Sequence, residues 1–271
     1  MTTEPPAAER PVHDPAAERY APPDENERRT SAAYRVRFDE AGPDGIARAS
    51  TYLRYAQDVA WVHSERRGFG RPWYIERGLA WVVRAVELTV VAALPTGAGL
   101  VASTEVVGGR RVMARRRCDL RSEPDGALVA TVLTDWVMTT TAGAPTRVPD
   151  AFPISFGVAL DQFEPIKVDP GAPPAGTPER TFEVRLHELD PMGHVNNAIY
   201  LDWLDEAIQA LAPDAIQAVP RRYRLEYKSA AAPTARLTGR AWPAGTAWSY
   251  RLEDERGQIS LGGRLEPNPP A

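Results

Sequence analysis

The sequence lacks several features that mark common classes of protein. Cys118 is the single cysteine in 271 residues, so no intrachain disulfide can form, which fits a reducing compartment. No apolar run approaches the roughly 18 residues of a membrane helix. The start of the chain also lacks the apolar core of a secretory signal. We therefore expect a cytoplasmic protein without a membrane span.

Concentrated basic charge is lacking as well. The formal net charge is -4, and residues 1–30 hold seven acids against four arginines, which leaves a nearly neutral body. Nucleic-acid binding needs a concentrated basic surface, so we do not expect it. The four histidines are scattered, and no phosphate-binding glycine loop occurs. The sequence therefore predicts neither a metal site nor a cofactor.

Composition divides the chain into segments. Residues 1–30 mix proline, alanine and charge without apolar periodicity, which predicts a disordered tail. Proline and glycine gather again at 164–179, which predicts a linker. The segments between and after them, 31–163 and 180–267, each predict a strand, a long helix and further strands separated by turns. Ser50 is the expected cap of the first long helix.

The two units also match in sequence. TYLRYAQDVA at 51–60 aligns with IYLDWLDEAI at 199–208 without gaps, and VELTVVAALPT at 86–96 resembles LEYKSAAAPT at 225–234. A repeat of this kind is typical of the hotdog fold, in which a curved antiparallel sheet wraps a long helix. We therefore predict an α+β tandem (double) hotdog with one continuous sheet.

The segment with the clearest chemical potential is DPMGHVNNAIYLDWLDEA at 190–207. Here an acid and a histidine, Asp190 and His194, share a loop that leads into a helix. The unpaired N–H groups of a helix start stabilise a developing oxyanion. Asp190 is a candidate base or nucleophile if burial raises its pKa, and His194 is a candidate donor to the carbonyl. These groups suit thioester hydrolysis, whose thiol leaving group departs easily.

Other residues near this motif have simpler interpretations. Asn196 and Asn197 are expected helix caps, with Asn196 also considered as an assisting group. Glu226 is the nearest carboxylate of the following strand, but its repeat in the first unit, Glu87, favours a structural role. His194 falls opposite Ile46 in the first unit, which predicts one working site per chain. The first unit would then form the wall of an acyl pocket with tryptophans that equally suit a plain core, namely Trp61, Trp73 and Trp81.

Over residues 34–265 the chain resembles the acyl-acyl-carrier-protein (acyl-ACP) thioesterases of plants and bacteria. The resemblance lies in YRVRFDEAGPDGIARASTYLRYAQDVA, WVVRAVELTV, DWVM, GHVNNAIYLDWL and LEYKS. It implies hydrolysis of fatty acyl-ACP, with Asp190 and His194 at the Asp and His positions of the family pattern. Met192 stands at the Asn position of that pattern, and its Glu-Cys pair falls near Ala230 and Ala231. The resemblance therefore implies a slower enzyme or a rearranged site.

The implied substrate is acyl-ACP, with an acyl-coenzyme A thioester as the alternative. A catalytically weak acyl-binding module and a hotdog dehydratase are further alternatives. A monomer and a homodimer are both compatible with the duplication. An arginine run is a candidate docking surface for an acidic carrier, although a solvated strand face explains it equally well. Its members are Arg110, Arg111, Arg115, Arg116 and Arg117.

Overall fold

The computed structural model describes residues 27–160 and 163–270. Most of the expected tail, residues 1–26, lies outside this range. Strand β1 begins at Arg29, two residues inside the segment assigned to the tail, where it pairs with a neighbouring strand opposite Glu105. The Arg29 side chain also forms an ion pair with Glu105. Within the described residues, none of the helices is both long enough and apolar enough to cross a membrane.

In its described residues, the first part of the chain contains five strands and three helices. Two elements open it, β1 (Arg29–Arg35) and a 3₁₀ turn at Phe38–Glu40. The helices are α1 (Ala49–Arg66), α2 (Arg71–Glu76) and α3 (Ala151–Phe156). The strands that follow α2 are β2 (Leu79–Val90), β3 (Gly99–Arg110), β4 (Met113–Ser122) and β5 (Leu128–Thr140).

The second part repeats this order in a shorter form. It opens with β6 (Glu179–Glu183) and a 3₁₀ turn at Leu186–Glu188. The helices are α4 (Asn197–Gln209) and α5 (Pro213–Gln217). The strands that complete it are β7 (Arg221–Tyr227), β8 (Arg236–Ala244), β9 (Ala247–Asp254) and β10 (Ile259–Pro267).

All ten strands form one sheet in the order β1-β3-β4-β5-β2-β7-β10-β9-β8-β6. Reading inward from either edge gives the same sequence of equivalent strands, so the two halves are related by a pseudo-two-fold axis. The halves meet where β2 pairs antiparallel with β7, with Val86 opposite Leu225. The tandem hotdog prediction is therefore confirmed, including the continuous sheet.

The two long helices lie on the inner face of this sheet. Helix α1 buries Tyr52, Leu53, Tyr55 and Val59, which recur at helical spacing and form one face. At equivalent positions of the two helices, 148 residues apart, Arg54 donates to Asp202 at 2.8 Å across the pseudo-two-fold axis.

The segment between the two halves crosses the outer face of the sheet, and we call residues 163–170 the strap. The amide of Ile166 donates to the carboxylate of Asp135 at 2.8 Å, and that of Val168 donates to Glu226 at 2.9 Å. The side chains of Ile166 and Val168 pack on Ala85. Buried strand carboxylates and a small apolar cluster therefore fix the strap to the central strands.

Three local details differ from the sequence predictions. Ser50 lies inside α1, and Arg48 occupies the N-cap without a side-chain bond to the helix. The segment RTFEVRLHELD at 180–190 predicts one strand, but the strand ends at Glu183, since a 3₁₀ turn at Leu186–Glu188 leads into the loop. The short helices α2, α3 and α5 were not predicted, because helices of five or six residues leave little periodicity in a sequence.

Candidate active site

A tight loop joins the 3₁₀ turn to α4. Leu189 and Val195 form an isolated antiparallel bridge that closes it. Inside the bridge the Asp190 amide donates to the His194 carbonyl at 2.7 Å, and the Gly193 amide donates to the Asp190 carbonyl at 2.9 Å. Gly193 has a φ of 77°, a conformation that glycine adopts without strain. The residues DPMGH therefore bring the predicted acid and histidine into one compact turn.

The carboxylate of Asp190 is oriented by this loop. Its Oδ1 accepts the Met192 amide at 2.8 Å and the His194 amide at 3.2 Å. In the described part of the chain, Oδ2 has no hydrogen-bond donor. Asp190 is half-buried, so it is less enclosed than the sequence argument supposed. The loop therefore fixes one carboxylate oxygen and leaves the other without a loop contact.

His194 and Met192 are both exposed on this loop. The His194 backbone is held by Asp190 at both its amide and its carbonyl, while no side-chain bond of its ring is found among the described residues. Met192, which replaces the Asn of the family pattern, is 51% exposed. The loop backbone thus leaves the imidazole exposed to solvent.

The start of α4 explains the two asparagines. The side chain of Asn196 accepts the Ala198 amide at 2.9 Å, and the carbonyl of Asn197 accepts the Tyr227 hydroxyl at 2.9 Å. Asn196 is therefore the N-cap, as the sequence predicted. With its side-chain oxygen used in this way, Asn196 has only its amide group to offer as an assisting donor.

Tyr200 links the loop to the end of β7, and sequence analysis did not single it out as a site residue. Its hydroxyl accepts the Ala231 amide at 3.0 Å. Burial raises the pKa of Tyr200 and the negative charge of Asp190 adds to this, while the Ala231 amide opposes it. Asp190, Tyr200 and Ala231 are therefore neighbours. The positions near which the Glu-Cys pair of the resembled pattern falls lie beside the loop, and alanines occupy them in this chain. The sequence did contain one signal for Tyr200, because the repeat alignment pairs it with Tyr52.

Glu226 lies on the other face of the sheet. Arg84 donates to one of its carboxylate oxygens at 2.7 Å, and the Val168 amide donates to the other at 2.9 Å. The neighbouring residues Leu225 and Tyr227 point inward to the main core. This position does not support an assisting role for Glu226, and it agrees with the structural role that Glu87 suggested.

The arginine run is mostly engaged within the protein. Arg115 binds Asp135 through two hydrogen bonds of 2.6 and 2.8 Å, and Arg117 binds Asp119 at 2.9 Å. Arg116 is buried and contacts the ring of His63 at 3.1 Å. Arg110 donates to the Phe163 carbonyl at 3.3 Å. Four of the five arginines therefore have structural partners, which weakens the case for this run as a docking surface.

Cys118 is buried in β4 of the first half, where it pairs with Thr104 of β3. Burial raises its pKa to about 12, with a further contribution from Asp119. A thiol with this pKa is not a nucleophile near neutral pH. In residues 27–160 and 163–270, no group of three or more potential ligands could hold a metal ion.

Two family profiles match the chain in the order of the two halves. The acyl-ACP thioesterase N-terminal domain matches residues 27–152, and the acyl-ACP thioesterase C-terminal domain matches residues 172–238. The second match includes the loop of Asp190 and His194. Among curated proteins, none matches this chain in sequence.

Several solved structures share the fold. An acyl-ACP thioesterase from Bacteroides thetaiotaomicron has a TM-score of 0.74 at 14% identity, covering 89% of this chain and 98% of its own. A 12:0-ACP thioesterase from Umbellularia californica has a TM-score of 0.72 at 18% identity, covering 88% and 96%. A Lactobacillus plantarum protein described as an oleoyl thioesterase has a TM-score of 0.78 at 18% identity, covering 89% and 97%. At these identities the likeness establishes the fold alone.

Proposed function

The chain belongs to the acyl-ACP thioesterase family, and on that premise we propose that Asp190 and His194 form the reacting end of its site. The family reaction is hydrolysis of fatty acyl-ACP to a free fatty acid and the carrier thiol. The observation that carries the proposal is the Asp190 carboxylate, with one oxygen held by two loop amides at the start of α4.

Hydrolysis begins when a water molecule attacks the thioester carbonyl carbon. The free Oδ2 of Asp190 accepts the proton of this water, and the carbonyl oxygen becomes an oxyanion. The His194 ring and the N–H groups at the start of α4 are the nearby donors for that oxyanion. The tetrahedral intermediate then collapses, the C–S bond breaks, and the thiolate leaves with its electron pair. The proton on Asp190 returns to the thiolate, so the base is regenerated.

Three side chains of the family pattern are replaced in this site. Met192 has no polar hydrogen to donate, and Ala230 and Ala231 have no group that could orient water. Loss of one such donor typically costs about 10²–10³ in kcat. We therefore propose a slow thioesterase that does not use a cysteine nucleophile. Asn196 could assist only by donating from its side-chain amide group.

We propose residues 31–163 and 180–267 as the two hotdog units, with 164–179 between them, and the first unit as the acyl wall. Trp73 and Trp81 support the wall only in part, since both pack in one aromatic cluster with Phe69 and Phe152. A cytoplasmic location is supported by the single buried cysteine. The one chain described supports a monomer and a homodimer equally.

The test is release of free thiol from matched acyl-ACP and acyl-coenzyme A thioesters by the natural protein, Asp190→Asn and His194→Ala. We expect a preference for the carrier protein and a loss of kcat of about 10²-fold or more in both variants. An equal rate with both carriers would instead favour the acyl-coenzyme A alternative.

Two matched controls are available in the chain. Asp254 accepts the amides of Arg256 at 2.9 Å and Gln258 at 2.8 Å, so Asp254→Asn removes the charge from the same kind of loop carboxylate at another hairpin. His187→Ala removes a second exposed histidine nearby. If the controls lose as much activity as the site variants, the proposed roles of Asp190 and His194 are wrong.

A further inference from the structure

The loop of Asp190 and His194 has a counterpart in the first half. The bridge between Ala41 and Ala47 repeats the one that closes the active loop. The Gly42 amide donates to the Ile46 carbonyl at 2.8 Å, in the same pattern as Asp190 and His194. Gly42 and Ile46 therefore occupy the positions of the acid and the histidine, on an unchanged backbone.

This counterpart loop borders a cleft of about 650 Å³. The opposite wall is α4 of the second half, and the segment leading into β7 closes one end. By the pseudo-two-fold axis, the cleft is the equivalent of the space where the proposed thioester site faces α1. The polar lining includes the side chains of Asp205, Gln209, Gln217 and Arg221 and the backbone of Ala49 at the start of α1.

Asp205 is the notable polar group of this cleft. Its Oδ1 is buried and has no hydrogen-bond partner among the described residues. Burial raises the pKa of Asp205 to about 7, and Asp202 adds to this, while the Tyr223 hydroxyl and Arg221 oppose it. An orphaned carboxyl oxygen is costly unless a ligand or water satisfies it. Asp205 therefore offers an unused hydrogen-bonding atom at the cleft.

Arg221 and the start of α1 add further polar groups. Arg221 is 6% exposed and contacts the Tyr223 hydroxyl at 3.2 Å and the Ala218 carbonyl at 3.0 Å. It makes no ion pair with any residue that the structure describes. Helix α1 lacks a side-chain cap, unlike α4, and its first residue Ala49 lines the cleft. The N–H groups of Ala49 and Ser50 can therefore donate to a carbonyl oxygen, while that of Thr51 donates to the Arg48 carbonyl at 3.0 Å.

We propose that this cleft is a second binding site for the pantetheine arm of an acyl thioester, with Asp205 and the uncapped start of α1 as its polar contacts. The inference rests on the proposed function, because it assigns the equivalent space in the other half the same kind of ligand. The cleft has lost the loop acid and histidine, so it binds the arm without the chemistry assigned to the first site.

The charges of the cleft favour a linear amide chain over a small anion. A pantetheine arm offers amide and hydroxyl hydrogens to Asp205 and amide carbonyls to the start of α1, Gln209 and Gln217. A bare phosphate or carboxylate would meet more acidic than basic side chains. The charged lining consists of Asp44, Asp202, Asp205 and Glu206 against Arg48 and Arg221, and of these acids Asp202 and Glu206 form ion pairs with Arg54 and Arg180.

The test is equilibrium dialysis of the full chain with radiolabelled S-octyl pantetheine, a thioether that cannot be hydrolysed. We expect two molecules per chain in the natural protein. Ala93→Trp, at an exposed position of the cleft wall, should reduce this to one. Asp205→Asn keeps the shape and should weaken one of the two sites about tenfold, as expected for loss of a buried hydrogen bond. Asp214→Asn, on the exposed surface of α5, is the control and should bind two.

One molecule per chain in the natural protein, unchanged by Ala93→Trp, would overturn the inference. Two molecules that neither Ala93→Trp nor Asp205→Asn affects would also overturn it. Its failure is separable from that of the proposed function, which is judged by thiol release. If the protein hydrolyses acyl-ACP but binds only one thioether per chain, the thioesterase proposal stands and the second site is wrong. If it binds two thioethers but hydrolyses no thioester, the second site stands and the thioesterase proposal is wrong.

Discussion

Replacing Glu226 with glutamine separates a structural carboxylate from a catalytic one. In the protein, one Glu226 oxygen binds Arg84 at 2.7 Å and the other accepts the Val168 amide of the strap at 2.9 Å. Glutamine can still accept from Val168 but loses the charge that holds Arg84. Hydrogen bonds to charged groups contribute about 1.5–3 kcal/mol. The Arg84 side chain is 39% exposed and can be rehydrated, so we expect the lower part of that range.

We therefore expect Glu226→Gln to lower the free energy of unfolding by about 1.5–2 kcal/mol. At about 2–4 °C per kcal/mol for a chain near this size, Tm should fall by roughly 3–8 °C. The value of kcat for acyl-ACP should stay within about twofold, because the carboxylate faces away from the Asp190 loop. Urea unfolding and thiol release measure the two quantities on the same preparation.

Glu87 provides the matched control. It is the equivalent residue in the first half and makes one half-exposed ion pair, with Arg224 at 3.2 Å. Glu87→Gln should therefore cost less than about 1 kcal/mol. The reasoning is refuted if Glu226→Gln is as stable as the natural protein but loses about 10²-fold in kcat, since Glu226 would then assist the reaction after all.

Four further predictions concern single positions. Burial raises the pKa of Asp205 to about 7, so its contribution to stability is present below about pH 4 and lost as pH rises through 7. At pH 8, Asp205→Asn should therefore raise the free energy of unfolding by about 1–2 kcal/mol, allowing for solvent screening. An unchanged free energy of unfolding would contradict this. Burial lowers the pKa of His63 to about 3, so neutral His63 stabilises the fold above about pH 6.5 and this contribution is lost as pH falls. Between pH 7 and pH 4 the free energy of unfolding of His63→Gln, measured with urea, should therefore fall by about 3 kcal/mol less than that of the natural protein. An equal fall in both proteins would contradict this. Met192→Asn should raise kcat about 10-fold or more by restoring a donor, and an unchanged kcat would show that this donor is dispensable here. Gly263→Ala would put a methyl 2.7 Å from Leu204 and should cost about 1–3 kcal/mol, unless equal urea midpoints show that Leu204 moves freely.

Several features of the fold followed from sequence pattern alone. The duplication and the long helices were readable because α1 and α4 present the same apolar face at helical spacing. The loop that carries Asp190 and His194 could be placed from its glycine and the asparagine cap, both local signals. The equivalence of His194 and Ile46 was also readable, because the alignment runs without gaps into a loop of equal length.

Other features depended on contacts between distant residues. Asp135 and Glu226 read as ordinary strand residues, yet they bind the amides of the strap. The arginine run reads as a charged surface, but Arg115 and Arg116 have partners supplied by β5 and α1. A local pattern gives the charge of a side chain and cannot give its partner.

By itself, the sequence determined the family, the tandem hotdog fold and the loop that carries Asp190 and His194. It could do so because helix periodicity, turn chemistry and repeat alignment are properties of neighbouring residues. Only the tertiary structure decided that Glu226 faces away from this loop and that Asp205 borders a cleft in the other half. Both depend on how β2 and β7 join the two halves about the pseudo-two-fold axis, a long-range arrangement that no local segment encodes.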